Sequence, residues 1–525
     1  MADGIGHRTG VVANLGGLLM SGAGTGGVKA VPGAEIEGPP AEGGGAGPAG
    51  RKLGLVLGPA IAICLQLVGA PGGLSAEAWW VVSIMALMLV WWVSEAVPIA
   101  ATALVPLIAL PLTGAATAAE AARPYADPIL FLFIGGFMLA AAIERWGLHA
   151  RIALTVAGAV GGHPMALVAG FILAAGLLSL WISNTATALM LTPIAVAVAR
   201  AMADNGHRDP RLGVALVLGV AYAASIGGMG TPVGSPTNVI AMGFLNERGV
   251  DLSFVQWMML GVPVVVVMLP ILWFIVTRGL LTASADDAAR GRAVLQRARE
   301  ALGAATVAEK RVLVVFAAVA SAWMLRELVL VKLPGLERLS DMGIAIVGAL
   351  ALFILSSGDP QRPRLLDWSS AERIPWGIVI LFGGGLSLAA AMDGTGLSAW
   401  LGEAMEGLRG LEPLIILLAL ILITLIATEM LSNVATLTAM LPIVAALAAA
   451  LGINPLLLVF PVTLTASLGF MLPIATAANA IAFATGLPSL RTMLWKGFLL
   501  NVAGVVAILA VNTLFAEGVL DQPAP

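Results

Sequence analysis

Two short clusters of hydroxyl and amide side chains stand inside otherwise apolar stretches of this sequence. The first is Ser183-Asn-Thr185, and the second, 249 positions later, is Ser432-Asn-Val434. Hydroxyl and carboxamide oxygens suit a hard cation such as Na⁺. A helix that begins at such a cluster also presents free N–H groups and partial positive charge, which suit a carboxylate or other oxyanion. The two clusters are therefore candidate parts of one site for a cation and an anion.

The composition places these clusters in a membrane protein. Of the 525 residues, 59% are hydrophobic and 11% are charged, whereas charged residues make up about a quarter of a soluble protein. The apolar stretches are continuous and about 20 residues long, which predicts membrane-spanning helices rather than a membrane barrel. A net charge of −3 gives no argument for a nucleic-acid partner. The single cysteine, Cys64, excludes an intrachain disulfide and a thiolate metal cluster.

The apolar segments predict an all-α polytopic fold with 11 spans and two longer segments of a different kind. Segments 163–203 and 411–451 are about twice the length of one span, and a polar cluster interrupts each midway. Each segment is either two full spans or a re-entrant hairpin with Ser-Asn at its tip. We favour hairpins, because neither cluster has the charged or Gly-rich turn expected of a loop among headgroups. The predicted spans are 53–70, 77–93, 97–112, 128–146, 212–244, 254–277, 311–331, 342–357, 375–392, 455–485 and 495–516.

Basic residues predict the orientation of a multi-pass protein of the cytoplasmic membrane. Arg51 and Lys52 precede the first span, and the linker 278–310 contains several more arginines. Because cytoplasmic loops are enriched in Lys and Arg, both regions and the N-terminus are expected in the cytoplasm. Residues 1–50, which are rich in Gly, Ala and Pro, predict a disordered tail.

An internal repeat relates the two halves of the chain. Residues 133–148 align with 382–397 at an offset of 249, and Asn238 aligns with Asn479 at an offset of 241. The orientation predicted from charge is opposite for the two copies, and such an inverted repeat is common among secondary transporters. Four regions are predicted: a tail of residues 1–50, a scaffold of 51–151 with 311–408, a cytoplasmic linker of 278–310, and a transport domain of 152–277 with 409–525. Within the transport domain, segments 212–244 and 455–485 are predicted to be broken spans.

The distribution of charge gives a reason for coupling. Segments 152–199, 212–245 and 413–490 contain no Lys or Arg, and their only acid is Glu429. An anion bound there has no basic side chain to neutralise it, so a bound Na⁺ would lower the anion's desolvation cost. The bound anion would likewise lower the desolvation cost of Na⁺. Glu429 itself is either a structural hydrogen-bond acceptor or a proton carrier.

Two other functional classes explain the sequence less well. An intramembrane serine protease needs a base beside its serine, but the four histidines lie near predicted membrane edges. A passive anion channel would tolerate the polar clusters but does not require an inverted repeat. We therefore expect a transporter rather than an enzyme.

The assembled motifs resemble the divalent anion/sodium symporter family, whose members carry dicarboxylates, citrate or sulfate. The resemblance covers about residues 53–517. The residues that carry it are Trp91-Trp-x-x-Glu-Ala-x-Pro98, Ser183-Asn-Thr185, Gly227-Gly-Met-Gly-Thr-Pro-Val-Gly-Ser-Pro236 and Met471-Leu-Pro-Ile-Ala-Thr476.

This resemblance implies a homodimer in which a transport domain moves like an elevator against a fixed scaffold. It also implies two Na⁺ sites and a substrate site between the hairpin tips. The first Na⁺ site would use Ser179, Ser183, Asn184 and the backbone near Gly228. The second would use Thr428, Asn433 and the backbone of Leu431 and Ala475. The substrate would contact Asn184, Thr185, Asn433, Val434 and Thr476.

Three departures from the family pattern bear on the substrate. Val434 stands where a hydroxyl would be available to a carboxylate. Thr476-Ala-Ala-Asn479 has alanines, and position 237 has threonine, where many family members have proline. We expect a C4 dicarboxylate such as succinate, carried with Na⁺ as the coupling ion. Sulfate or a tricarboxylate, and antiport instead of symport, are the alternatives.

Overall fold

The computed structural model describes residues 48–204, 209–280, 285–404 and 412–520, and most of them are helical. The predicted helical fold class is confirmed. One short β-hairpin, Ser356–Asp359 paired with Arg362–Arg364, was not expected. The predicted tail lies outside the described residues except for its last three positions, where the first helix already begins.

The helices are numbered here in chain order. In the first half they are α1 (Pro48–Val68), α2 (Ala76–Ser94), α3 (Ile99–Thr102), α4 (Val105–Thr113), α5 (Ala118–Ala122), α6 (Pro128–Arg145), α7 (Leu148–Val160), α8 (Pro164–Ser179), α9 (Asn184–Asp204), α10 (Arg211–Gly228), α11 (Pro236–Asn246) and α12 (Phe254–Thr277). They continue as α13 (Ala285–Ala301), α14 (Val307–Leu325), α15 (Asp341–Ile354), α16 (Trp368–Ala371), α17 (Trp376–Gly394), α18 (Leu397–Ala404), α19 (Pro413–Met430), α20 (Asn433–Leu451), α21 (Leu456–Ala466), α22 (Ala477–Ala484) and α23 (Leu490–Leu520). Short 3₁₀ turns lie at Arg123–Ala126, Pro232–Gly234 and Leu330–Lys332.

The length and composition of these helices identify a multi-pass integral membrane protein. In the described ranges, ten helices are long and apolar enough to cross a membrane, and five shorter ones are also apolar. The predicted span 97–112 is divided into α3 and α4. Pro106 explains the division, because it has no N–H to continue the helix from Thr102.

Both long polar-interrupted segments fold as two helices with a very short connection. Residues 180–183 join α8 to α9, and residues 431 and 432 join α19 to α20. Ser183 accepts a hydrogen bond from the Ala186 N–H at 3.3 Å, and Ser432 accepts one from the Ala435 N–H at 3.2 Å. A serine therefore caps the second arm of each hairpin and stops the first arm from continuing through the tip.

The two predicted broken spans, 212–244 and 455–485, are both interrupted near their middle. The first ends as α10 at Gly228 and resumes as α11 at Pro236, and the second ends as α21 at Ala466 and resumes as α22 at Ala477. Pro232 and Pro236 lack N–H donors, as does Pro473 in the second interruption. Each interruption leaves backbone groups that need other partners.

A close backbone contact holds the first hairpin against the broken span of its own half. Helix α8 packs along α10, where a Cβ on Gly227 would lie 2.3 Å from the Gly176 carbonyl oxygen. Elsewhere, α6 packs on α15, and a Cβ on Gly135 would lie 2.7 Å from the Ala345 Cβ. Gly227 and Gly135 are thus sites of close helix contact, as small residues often are in membrane proteins.

Helix α1 lies at the edge of the bundle. It packs on α2, and most of its residues are exposed, including Leu67 and Val68. Cys64 is on this helix and is also exposed.

The Gly227–Gly176 approach predicts that Gly227→Ala weakens the fold. The added methyl group would meet backbone rather than a movable side chain, so α8 and α10 would have to separate. We expect a loss of about 1–3 kcal/mol in the free energy of unfolding, measured as a lower thermal midpoint in detergent. Gly402→Ala is the matched control, because its Cβ would meet nothing closer than 3.6 Å. Equal midpoints for Gly227→Ala and the unmodified protein would contradict this packing.

Candidate functional site

The first hairpin tip brings three predicted site residues together. The Ser179 hydroxyl donates to Asn184 Oδ1 at 2.8 Å across the tip. Gly228, at the end of α10, lies against the same oxygen, since a Cβ there would be 2.2 Å from Asn184 Oδ1. Only glycine leaves this oxygen room. The result is a group of uncharged oxygens of the kind that a hard cation prefers.

Asn238 forms hydrogen bonds that stabilise the interruption of the first broken span behind this tip. Its side chain is fully buried, and its Nδ2 donates to the carbonyl oxygens of Gly228 at 2.8 Å and Thr231 at 2.7 Å. The Thr231 hydroxyl in turn donates to the Leu180 carbonyl on the hairpin. Asn238 Oδ1 is buried and has no hydrogen-bond partner among the described residues. Asn238 therefore supports the first site from behind.

The second hairpin tip repeats the arrangement of the first. The Thr428 hydroxyl lies 3.0 Å from Asn433 Oδ1, with the same five-residue separation as Ser179 and Asn184. It also contacts the Ala466 carbonyl oxygen at the end of α21. Two oxygen clusters of the same design thus lie at two equivalent helix breaks.

The asparagine of the second broken span makes the same pair of hydrogen bonds as its counterpart. Asn479 Nδ2 donates at 2.9 Å to the carbonyls of Gly469 and Leu472, which precede it by ten and seven residues. Asn238 bonds carbonyls at those same two spacings. Asn479 Oδ1, like Asn238 Oδ1, is buried and has no hydrogen-bond partner in the described residues. The inverted repeat therefore extends from the sequence to individual hydrogen bonds.

Gly469 lies among the predicted site residues, although the sequence analysis did not name it. It is the counterpart of Gly228, 241 positions later. A Cβ on Gly469 would lie 3.0 Å from the Ala475 Cβ, 3.3 Å from the Thr428 carbonyl oxygen and 3.5 Å from Thr476 Cγ2. Three predicted site residues thus surround it. The alignment around Asn238 and Asn479 already contained the signal, because Gly228 and Gly469 both precede the asparagine by ten positions.

Glu429 holds the second broken span to the second hairpin tip. Its carboxylate accepts hydrogen bonds from the backbone N–H groups of Phe470, Met471 and Leu472 at 3.0–3.1 Å and from Asn501 Nδ2 at 2.7 Å. All of these partners are N–H donors, which suit an ionised carboxylate better than a protonated one. Of the two roles that the sequence left open, the geometry favours the structural acceptor.

Some predicted site residues do not take part in the two oxygen clusters. Thr185 and Ser183 are partly exposed, Val434 is buried, and Leu431 is the last residue before the second cap. Among the described residues, no hydrogen bond joins one tip directly to the other. The two halves meet instead through a chain of hydroxyls, in which Thr237 lies 2.8 Å from Ser235 and 3.3 Å from Ser467.

The Trp91–Pro98 motif lies beside the second tip, a position that the sequence analysis did not predict. Helix α2 ends in this motif, where Glu95 has a left-handed backbone with φ 47°. A cavity of about 20 Å³, enough for one water molecule, separates Trp92, Val93 and Glu95 from Met430, Leu431 and Ser432.

Comparison with known proteins agrees with these features. Residues 51–520 match the family model described as the sodium:sulfate symporter transmembrane region. The chain belongs to this family.

Relatives among curated proteins include two sodium-dependent dicarboxylate transporters. That of Staphylococcus saprophyticus is 36% identical over 488 residues, which cover 91% of this chain and 94% of the relative. That of Staphylococcus aureus strain bovine RF122 is 36% identical over 489 residues with the same coverage. Among solved structures, the YdaH transporter of Alcanivorax borkumensis aligns at 13% identity and a TM-score of 0.48, over 85% of this chain and 99% of that one.

The contacts of Glu429 predict that Glu429→Gln destabilises the protein. The amide would direct an NH₂ group at backbone donors and remove the charged acceptor that they share, a loss of about 1–3 kcal/mol. The measurement is the thermal midpoint in detergent. Glu412→Gln is the control, because Glu412 begins the same helix but is exposed and caps nothing. A Glu429→Gln variant with full stability but with altered pH dependence of uptake would instead identify Glu429 as a proton carrier.

Proposed function

We propose that this protein is a secondary active transporter that couples Na⁺ to the movement of a small divalent anion, with a C4 dicarboxylate such as succinate as the favoured substrate. The duplicated Ser/Thr–Asn–Gly arrangement at the two tips is the observation that carries the proposal. Membership of the sodium:sulfate symporter family and the printed names of the relatives support it.

Two Na⁺ ions are assigned to the two oxygen clusters. The first ion would be held by Ser179, Ser183, Asn184 and the backbone of Gly228. The second would be held by Thr428, Asn433 and the backbone of Leu431 and Ala475, to which we add Gly469. Oxygen donors without a net charge suit a monovalent hard cation that must also be released.

The anion is assigned to the space between the second arms of the hairpins, beside Asn184, Thr185, Asn433, Val434 and Thr476. Helices α9 and α20 both begin at these tips, so their free N–H groups and dipoles favour negative charge. No Lys or Arg occurs in segments 152–199, 212–245 and 413–490, so each bound Na⁺ lowers the cost of placing the anion there. By thermodynamic linkage the anion strengthens Na⁺ binding equally.

Transport requires that the site open to each side in turn, and we assign this to an elevator movement in a homodimer. The moving part is 152–277 with 409–525, the scaffold is 51–151 with 311–408, and the linker 278–310 and the N-terminus face the cytoplasm. The close packing of each hairpin on its own broken span supports movement of the two as one body. The ion pair between Arg248 and Asp393, at 2.8 Å, crosses from this body to the scaffold and would have to break.

Uptake by proteoliposomes tests the function. We expect radiolabelled succinate to enter in a saturable manner that requires an inward Na⁺ gradient. Asn184→Ala and Asn433→Ala should each lower uptake by more than about tenfold, because each loses an oxygen ligand worth at least about 1.4 kcal/mol. Both should keep the thermal midpoint of the unmodified protein within a few degrees.

Asn246→Ala is the matched control for these variants, because Asn246 is exposed at the end of α11, far along the chain from both tips. Normal transport by Asn184→Ala or Asn433→Ala would overturn the site assignment. Non-saturable flux that ignores Na⁺ would instead indicate a passive channel.

Sulfate is the second candidate substrate, because the description of the matching family names it. The same uptake assay with sulfate and with citrate distinguishes these anions from succinate. An exchange assay with preloaded vesicles distinguishes antiport from symport.

Val434→Thr tests where specificity resides. The substitution preserves shape and restores a hydroxyl beside Asn433, and one net hydrogen bond to a carboxylate should lower the KM for succinate by about two- to tenfold. The dependence on Na⁺ concentration should stay unchanged. Val444→Thr, a buried valine further along α20, is the control. An unchanged KM in Val434→Thr would show that this side chain does not face the substrate.

A further inference from the structure

A second cavity, separate from the hairpin tips, lies between the linker helix α13 and helix α7. Its volume is about 530 Å³, within the range of pockets that hold small ligands. Leu295 and Gly158 contribute apolar walls, while Arg151, Arg292 and Arg299 bring three guanidinium groups to its lining. The proposed transport mechanism makes no use of this cavity.

One of the three arginines is already neutralised. Arg151 forms an ion pair with Glu309 at 3.2 Å and donates to the carbonyl oxygens of Leu302 and Gly303. It therefore ties α7 to the start of α14. Its charge is shared with Glu309, so Arg151 forms part of the frame of the cavity.

The other two guanidinium groups form no ion pair among the described residues, although one acid lies in the same lining. Neither Arg292 nor Arg299 has an ion pair or a side-chain hydrogen bond within the described residues. The remaining acid in the lining, Glu300, accepts a hydrogen bond from Gln296 at 2.9 Å. Seven residues are two helical turns, so Arg292 and Arg299 lie on the same face of α13, about 10 Å apart along its axis.

This face of α13 is held in place by its backbone. A Cβ on Gly291 would lie 1.9 Å from the Gly162 carbonyl oxygen, and a Cβ on Gly162 would lie 2.2 Å from the Ala288 carbonyl oxygen. Two glycines thus allow α13 to rest directly on the turn that leads from α7 into the first hairpin. The two unpaired arginines are therefore presented by a fixed helix, so less entropy is lost when they bind a ligand.

The cavity also lies near the end of a candidate membrane span, Ala118–Arg145, where the headgroup level of a bilayer is expected. Arg151 follows the end of α6 at Arg145 by six residues, and Glu309 is in the first turn of α14. Phospholipid headgroups occupy this level of a bilayer. Arginine binds phosphate through two parallel N–H groups, which makes two free guanidiniums at this depth a suitable phosphate receptor.

We propose that the cavity between α7 and α13 binds a phosphate-type oxyanion through Arg292 and Arg299, supplied either by an anionic lipid headgroup or by a free ion. The occupant joins the linker helix to α7, and through Gly162 it lies next to the entry of the first hairpin. This site is independent of the transported substrate, so its failure would leave the proposed transport function intact.

The test measures binding to the purified full-length protein in detergent. Native mass spectrometry counts retained phosphatidylglycerol against phosphatidylcholine, and calorimetry measures inorganic phosphate. We expect at least one of these two anionic probes to bind, and R292Q/R299Q to weaken that binding by about tenfold or more. Glutamine keeps the stem that packs beside Gly162, and R292K/R299K, which keeps both charges, should recover part of the binding.

R297Q is the matched control, because Arg297 is exposed on the same helix but does not line the cavity. Preference for phosphatidylglycerol without binding of inorganic phosphate identifies a headgroup site, and binding of inorganic phosphate identifies a free-ion site. The proposal is overturned if the unmodified protein binds neither probe, or if R292Q/R299Q and R297Q change binding equally.

Discussion

Interrupted helices inside an apolar bundle impose the constraint on which the rest of this structure depends. Each interruption frees N–H and carbonyl groups that lipid cannot satisfy, so the protein itself must supply their partners. Asn238 and Asn479 supply donors to the carbonyls of the two broken spans, and Glu429 supplies an acceptor to N–H groups of the second. With these bonds in place, the oxygens of the hairpin tips stay available for ligands.

The two halves satisfy the backbone groups at their helix breaks with different side chains. In the first half, the Thr231 hydroxyl reaches the Leu180 carbonyl, and no charge is involved. In the second half, the residue equivalent to Leu180 is Glu429, 249 positions later, whose carboxylate contacts three consecutive N–H groups. The duplicated frame is therefore electrically asymmetric. This asymmetry lies behind the tips and adds to the difference between Thr185 and Val434, the residues that follow the two tip asparagines.

Much of this arrangement could be predicted from the sequence, because local patterns determine it. Serine before asparagine caps a helix, prolines interrupt one, and both signals occur twice at constant offsets. The contacts that depend on tertiary packing were not predictable. The role of Gly469 depends on the approach of Thr428 and Ala475, and the role of Glu429 depends on a loop about 40 residues away. The orientation in the membrane, the elevator movement and the homodimer stay predictions.

The exposed position of Cys64 on the peripheral helix α1 has a practical consequence. It is the only thiol in the chain, and it lies on the bundle edge rather than in the packed interior. Replacing it by serine removes little buried surface, so a cysteine-free variant should have nearly the same free energy of unfolding as the unmodified protein. Pairs of introduced cysteines could then carry spin labels or fluorophores without a competing reaction. Distances between the hairpins and the scaffold thus become accessible to spectroscopy in a lipid bilayer.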